Sequence, residues 1–230
     1  IAFGIPVQFD KAYVEGITRL SATDIRYAEQ LGYRIKLLGI TKRRDGEGVE
    51  LRVHPTLVPA KRLIANVEGA MNAVVVHGDA VGTTLYYGKG AGSEPTASAV
   101  IADLVDVTRL ATSDPQHRVP HLAFQPGAMR DVGVLPMEQV VTGYYLRLRV
   151  ADEKGVLARV ASLLAESDIS IDAVLQREAD EVGGEGSTQT DLIMLTHDAR
   201  EGAMSAALAK LQALPSVLAP IVRIRKEELN

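Results

Sequence analysis

GYYLRLRVADEKGVLARVASLLAESDISI, residues 143–171, carries two periods in succession and decides the fold of the second half of the chain. Tyr144, Leu146, Leu148 and Val150 alternate with Tyr145, Arg147 and Arg149, the period of two that a half-buried strand requires, so one face is expected to be core. After residues 152–155, Val156, Leu157, Val160, Leu163 and Leu164 recur at helical spacing, and Ile169, Ile171, Ala173 and Leu175 then alternate again. A Gly/Glu-rich hairpin loop at 181–186 leads into the strand TDLIMLTH. A helix with Ala203, Met204, Ala207, Leu208 and Leu211 and a last strand through Val222 and Ile224 follow. The order is βαββαβ, a ferredoxin-like split unit, which by itself hosts many unrelated roles.

Towards the N-terminus, residues 111–142 are broken by Pro115, Pro120, Pro126 and Pro136 and hold no sustained period, which marks a linker. Before it, SATDIRYAEQLG predicts a helix over about 24–31, with Ser21 or Thr23 as cap and Gly32 as the left-handed terminator. YRIKLLGITKRR and GVELRVHPTLV flank Asp45, Gly46, Glu47 and Gly48 as an antiparallel hairpin, with the solvated cations Lys42, Arg43 and Arg44 at its tip. A short helix after Lys61, with Leu63, Ile64 and Val67 on one face, precedes the strands NAVVVHG and GTTLYYG. A long helix then carries Val100, Ile101, Leu104, Val105 and Val107. The fold class expected is α/β (α+β): a mixed-sheet domain over 1–110, a linker over 111–142 and a βαββαβ domain over 143–230.

At 230 residues and 47% hydrophobic, the chain can build two modest cores. A balance of 25 Lys+Arg against 29 Asp+Glu lacks the basic excess that phosphate backbones demand, so no nucleic-acid partner is expected. The absence of cysteine removes disulfides and thiolate metal sites and fits a cytoplasmic location. No apolar run is long enough to span a bilayer, so no membrane partner is expected. IAFGIPVQF opens on apolar residues without an initiator Met, and a preceding segment is expected.

Among polar candidates, Gly88, Lys89, Gly90, Ala91 and Gly92 lie between a strand and a helix with Pro95 in its first turn. The pattern lacks the Gly-Lys-Ser/Thr of a Walker loop and the full dinucleotide fingerprint, so alone it reads as a tight turn. Gly155 permits close backbone approach, and the helix after it offers free N–H groups to a carboxylate while Asp152 can meet an ammonium. The same residues equally suit a helix cap and a turn. His117 and His121 are spaced i,i+4 but bracketed by prolines, and no metal site is expected. His54 and His77 fall in strand patterns. Asp103 and Asp106 share a helix face that solvent explains, and Lys36, Lys42 and Lys89 read as solvated lysines.

YYLRLRVADEKGVLARVASLLAESDISI closely resembles the opening of an ACT domain. VEGITRLSATDIRYAEQLGYRIKLLG and YYGKGAGSEPTASAVIADLV resemble the C-terminal half of the homoserine dehydrogenase catalytic domain. The resemblance implies that 1–110 is the end of a substrate and dimerisation domain and 143–230 an ACT regulatory domain. It implies NADP or NAD as cofactor, contacted here by Gly90, Ala91 and Gly92, and a pathway amino acid, L-threonine, as effector at Asp152, Gly155, Val156 and Leu157. The implied reaction interconverts aspartate 4-semialdehyde and L-homoserine in threonine, methionine and isoleucine biosynthesis, in a homodimer or tetramer. The family's nucleotide fingerprint and catalytic residues lie before IAFG, so no catalytic residue is expected in this chain. A stand-alone amino-acid-binding regulatory module and a structural dimerisation fragment are the alternative readings.

Overall fold

The computed structural model describes residues 2–6, 8–44, 46, 48–114, 124–176 and 188–229. It divides into two compact units: Ile1–Val7 with Lys61–Asp131, and Gln8–Ala60 with Val132–Asn230. The units are therefore not consecutive in sequence, and the second combines residues from both sides of the expected linker.

In the larger unit, β1 (Tyr13–Val14) precedes α1 (Ala22–Gln30), and β2 (Tyr33–Arg44) and β3 (Gly48–Pro59) form the expected hairpin. Ser21 caps α1: its Oγ accepts from Asp24 N–H, and Asp24 reciprocates as a capping box, which starts the helix two residues earlier than its apolar pattern suggests. In the smaller unit, β4 (Met71–Gly78) pairs with β5 (Gly82–Lys89), and α2 (Ser93–Ala111) follows. The expected helix after Lys61 is only a 3-10 turn, Leu63–Asn66, which buries Ala65 and leaves Leu63 exposed. Four residues are too few to build an apolar stripe.

The C-terminal part of the larger unit contains β6 (Val141–Ala151), α3 (Val156–Ala165), β7 (Ile171–Gln176), β8 (Gln189–Thr196), the two-residue β9 (Ala199–Arg200), α4 (Glu201–Gln212) and β10 (Val222–Lys226). Strands β10, β6, β8 and β7 lie side by side as mutually antiparallel neighbours, the 4-1-3-2 order of the ferredoxin-like unit. The expected βαββαβ order is present; the 181–186 loop lies outside the described residues.

This sheet does not stop at β10. Strand β3 runs parallel to β10 through Thr56 and Leu57 and parallel to β1 through Arg52 and Val53. Because β2 pairs with β3 along all twelve residues, β1 and β10 must share the opposite edge of β3 at successive stations. One continuous mixed sheet thus joins the early hairpin to the C-terminal module.

Two cores flank that sheet. On one face α3 and α4 bury Val156, Val160, Leu164, Met204, Ala207 and Leu211 against Tyr144, Leu146, Leu148, Val150, Leu192 and Met194. Each such fully buried aliphatic side chain stabilises by about 1.5–3 kcal/mol relative to exposure. On the other face α1 contributes Tyr27 and Ala28 against Leu57, Tyr145, Ile193, Leu195 and Ile224. The strand at 143–150 is therefore covered on both faces. Its Tyr145 is fully buried, and Arg147 and Arg149 are partly buried in ion pairs rather than solvated.

Among the described residues, the smaller unit has no comparable core. None of the residues of α2 is buried among the described residues, and Val100, Ile101, Leu104, Val105 and Val107 are all exposed. The hairpin beside it in sequence exposes Val74, Tyr86 and Tyr87.

Candidate functional site

The glycine turn of the smaller unit joins β5 to α2. Gly92 is the N-cap of α2 with φ +131°, a conformation closed to most side chains, and no side chain caps the helix. A Cβ on Gly90 would meet Asn72 Nδ2 at 2.4 Å, so the turn packs against the start of β4. Ala91 and Lys89 are exposed. The turn thus presents bare backbone and free N–H groups at a helix start, which suits a ligand approaching along the main chain.

In the larger unit the turn between β6 and α3 has the same character. Gly155 is the N-cap of α3 at φ +88°, again without a side-chain cap. Asp152 is exposed and does not cap the helix; its N–H donates to the Thr188 carbonyl. Val156 is buried in the core below, whereas Leu157 is 38% exposed at the rim. Free N–H groups, an exposed carboxylate and an apolar rim are the complement of a zwitterionic amino acid.

The remaining candidates have structural explanations. His54 is buried; Arg52 Nη1 donates to its Nε2 at 2.8 Å and its Nδ1 donates to the Pro55 carbonyl at 3.0 Å. Burial and the nearby Arg225 and Arg52 charges push it down to about 4, so it is neutral. His77 bonds its cross-strand neighbour Thr83 at 2.8 Å. Lys42 is not a free tip cation: its Nζ meets Glu227 Oε2 at 2.6 Å, and Arg44 meets Glu50 Oε1 at 2.6 Å. Lys36 is half-buried and partnered. Asp103 and Asp106 are exposed, Asp106 facing Arg109 at 3.6 Å. His117 and His121 lie outside the described residues, and no metal-ligand cluster occurs among those described. No helix among them is long and apolar enough to cross a membrane.

What the period-based reading missed is a lattice of buried charge between the early strands and the C-terminal module. Arg225 on β10 donates Nη1 to Glu15 Oε2 (2.8 Å), Nη2 to Tyr13 Oη (3.0 Å) and Nε and Nη2 to the Glu201 carboxylate (2.9 and 2.6 Å). Burial raises the carboxyls of Glu15 and Glu201, but the Arg225 hydrogen bonds, the Arg225 and Arg223 charges and a tyrosine hydroxyl on each together outweigh it and hold both below the usual carboxylate range. Asp24 on α1 accepts from Arg147 Nε and Nη2 at 2.6 and 3.1 Å, from Tyr145 Oη at 3.0 Å and from Ser21 Oγ at 2.6 Å. Arg52, fully buried, joins Glu50 and Glu227. Its signal in the sequence is the run of charged residues at strand positions, such as Arg147, Arg149, Arg223 and Arg225, which a sheet covered on both faces must pair.

The homoserine dehydrogenase family model matches residues 1–105, and the ACT domain model matches residues 144–216. Homoserine dehydrogenase from Pseudomonas aeruginosa is 57% identical over the whole chain, and that from Neisseria gonorrhoeae 51%. The chain belongs to the homoserine dehydrogenase family. A crystal structure of homoserine dehydrogenase from Thiobacillus denitrificans matches all of this chain and 50% of its own, with a TM-score of 0.90 and 62% identity. One from S. aureus matches all of this chain at a TM-score of 0.63 and 26% identity. The chain spans about half the length of the curated relatives it matches, 52% of each of the two above. Homoserine dehydrogenases are NAD(P)-dependent in general, and this chain carries an ACT domain over residues 144–216.

Proposed function

We propose that this chain is the substrate-domain and regulatory part of an NAD(P)-dependent enzyme that interconverts aspartate 4-semialdehyde and L-homoserine. The observation that carries the reading is the end-to-end match to homoserine dehydrogenases about twice as long. The exposed apolar stripe of α2 supports it, since a surface of five large aliphatic residues on one helix is what a further domain covers. Hydride transfer requires cofactor and carbonyl carbon to be held together with a proton donor. This chain's share is backbone contact from Gly90, Ala91 and Gly92, and the choice between NADP and NAD rests with residues outside it. The turn of Asp152, Gly155, Val156 and Leu157 takes an amino-acid effector, L-threonine. Residues 1–110, 111–142 and 143–230 are the inherited substrate, linker and ACT segments, and the enzyme is a homo-oligomer of the cytoplasm.

The experiment is turnover. The full-length protein is expected to reduce NADP or NAD with L-homoserine, and the 230-residue chain alone is expected to be inactive. Full-length protein inactive with both nucleotides would overturn the proposal. Heat released on titration with L-threonine tests the effector turn, and loss of that heat in Asp152→Ala locates it.

A further inference from the structure

The segment from Tyr13 to Asp24 is fastened at both ends to strands of the ACT module. At its start, Arg225 of β10 binds Glu15 Oε2 at 2.8 Å and Tyr13 Oη at 3.0 Å, with its guanidinium carbon 4.8 Å from the centre of the Tyr13 ring. At its end, Arg147 and Tyr145 of β6 bind Asp24. Between these anchors Gly16, Ile17, Thr18 and Arg19 are all exposed, and a backbone hydrogen bond from Leu20 N–H to the Ile17 carbonyl (3.1 Å) closes the turn. This loop walls a cleft of about 1110 Å³ whose opposite side is Ser205 and Leu208 of α4 and Ile221 to Ile224 of β10.

One of the anchoring strands also leads into the proposed effector turn. Strand β6 runs directly into residues 152–155, and Arg225 grips Glu201, the first residue of α4, with the same guanidinium that holds Glu15. Charge-assisted bonds, two from Arg147 to buried Asp24 and one from buried Arg225 to Glu15, resist stretching, whereas an exposed turn with few tertiary bonds deforms readily. Were β6 to shift against β10, residues 16–20 would absorb the displacement.

We infer that residues 16–20 form a strap through which the ACT module passes effector binding to the rest of the enzyme, with Arg147 and Arg225 as its positioning residues. The inference rests on the effector reading above, and the test separates the two.

Backbone hydrogen exchange is measured on the full-length protein with and without saturating L-threonine, for the wild type, Arg147→Lys and Arg225→Lys. In the wild type, L-threonine is expected to slow exchange at 153–157 and to change it at 16–20, each on the order of threefold or more. In Arg147→Lys, protection at 153–157 is expected to persist while the response at 16–20 disappears. Protection at 153–157 with 16–20 unchanged in the wild type overturns the strap and leaves the effector site standing. If L-threonine protects neither segment, the effector reading fails, and the ligand-free variants then decide the anchors. Faster exchange at 16–20 in both lysine variants supports them, and wild-type rates overturn them.

Discussion

Asp24 in the first turn of α1 receives the Arg147 guanidinium through both Nε and Nη2, at 2.6 and 3.1 Å. A helix from the early part of the chain is thereby fastened to the strand that leads into the proposed effector turn. Burial raises the Asp24 carboxyl, but the bonds from Arg147, Ser21 and Tyr145 and the Arg147 charge together outweigh it and hold the group below the usual carboxylate range.

Asp24→Asn keeps the shape and removes the charge, and its NH2 group replaces one of the two oxygens that accept from Arg147, Tyr145 and Ser21. The expected loss of stability is about 3 kcal/mol, read as a lowered urea midpoint. In the double variant with Arg147→Met the loss is expected to be smaller than the sum of the two single losses. Strict additivity would show that the pair contributes no coupling.

Acid sensitivity should appear in two windows. His54 titrates at about 4 in the folded chain against 6.5 when unfolded, so between these values the unfolded state holds more protons and stability falls as pH falls. That shift corresponds to about 3 kcal/mol in full. The depressed carboxyls of Asp24, Glu15, Glu201 and Glu227 contribute stability that is present above the ordinary carboxylate range and lost as pH drops below it. His54→Gln is expected to flatten the decline from pH 6.5 to 4 while leaving the steeper loss below it, as followed by circular dichroism melts.

At Gly155 a methyl group meets nothing within 4 Å, so Ala there costs only the strain of φ +88°, about 1–2 kcal/mol. The melting temperature of Gly155→Ala should drop modestly. Calorimetry should show L-threonine binding weakened by more than that loss accounts for; undiminished binding would remove the turn from the effector site.

Ile101→Glu combined with Val105→Glu should leave the 230-residue chain within about 0.5 kcal/mol of its starting stability, because both side chains are already exposed. The same pair in the full-length protein should lower its thermal midpoint and its turnover. Equal behaviour in both contexts would mean that nothing covers α2.

How far the sequence could be read follows from which positions obey one period. In β6, Tyr144, Leu146, Leu148 and Val150 repeat at two, and in α3 Val156, Val160 and Leu164 repeat at helical spacing, so element order emerged directly. The turn glycines at 92 and 155 were also visible, because a positive φ leaves a residue type as its mark. The second face of the sheet was not. Tyr145, Arg147 and Arg149 look like a solvated face, and only the arrival of α1, more than a hundred residues away, turns them into an interior. Pairing of β3 with β10 leaves no local trace, since Thr56 and Arg225 are chosen by a partner far along the chain. The exposure of α2 was hidden for the opposite reason: its stripe promises a core that the described residues do not provide.

The sheet that runs unbroken from β2 to β7 makes inheritance and folding part company. Residues 144–216 match a domain model of their own, yet residues 143–230 excised alone would present to water the face that α1 covers, a raw edge on β10, and Arg225 and Glu227 stripped of several of the partners that neutralise them. The module is masonry rather than a detachable accessory: exchanging it for another domain requires the wall beside it to be rebuilt as well.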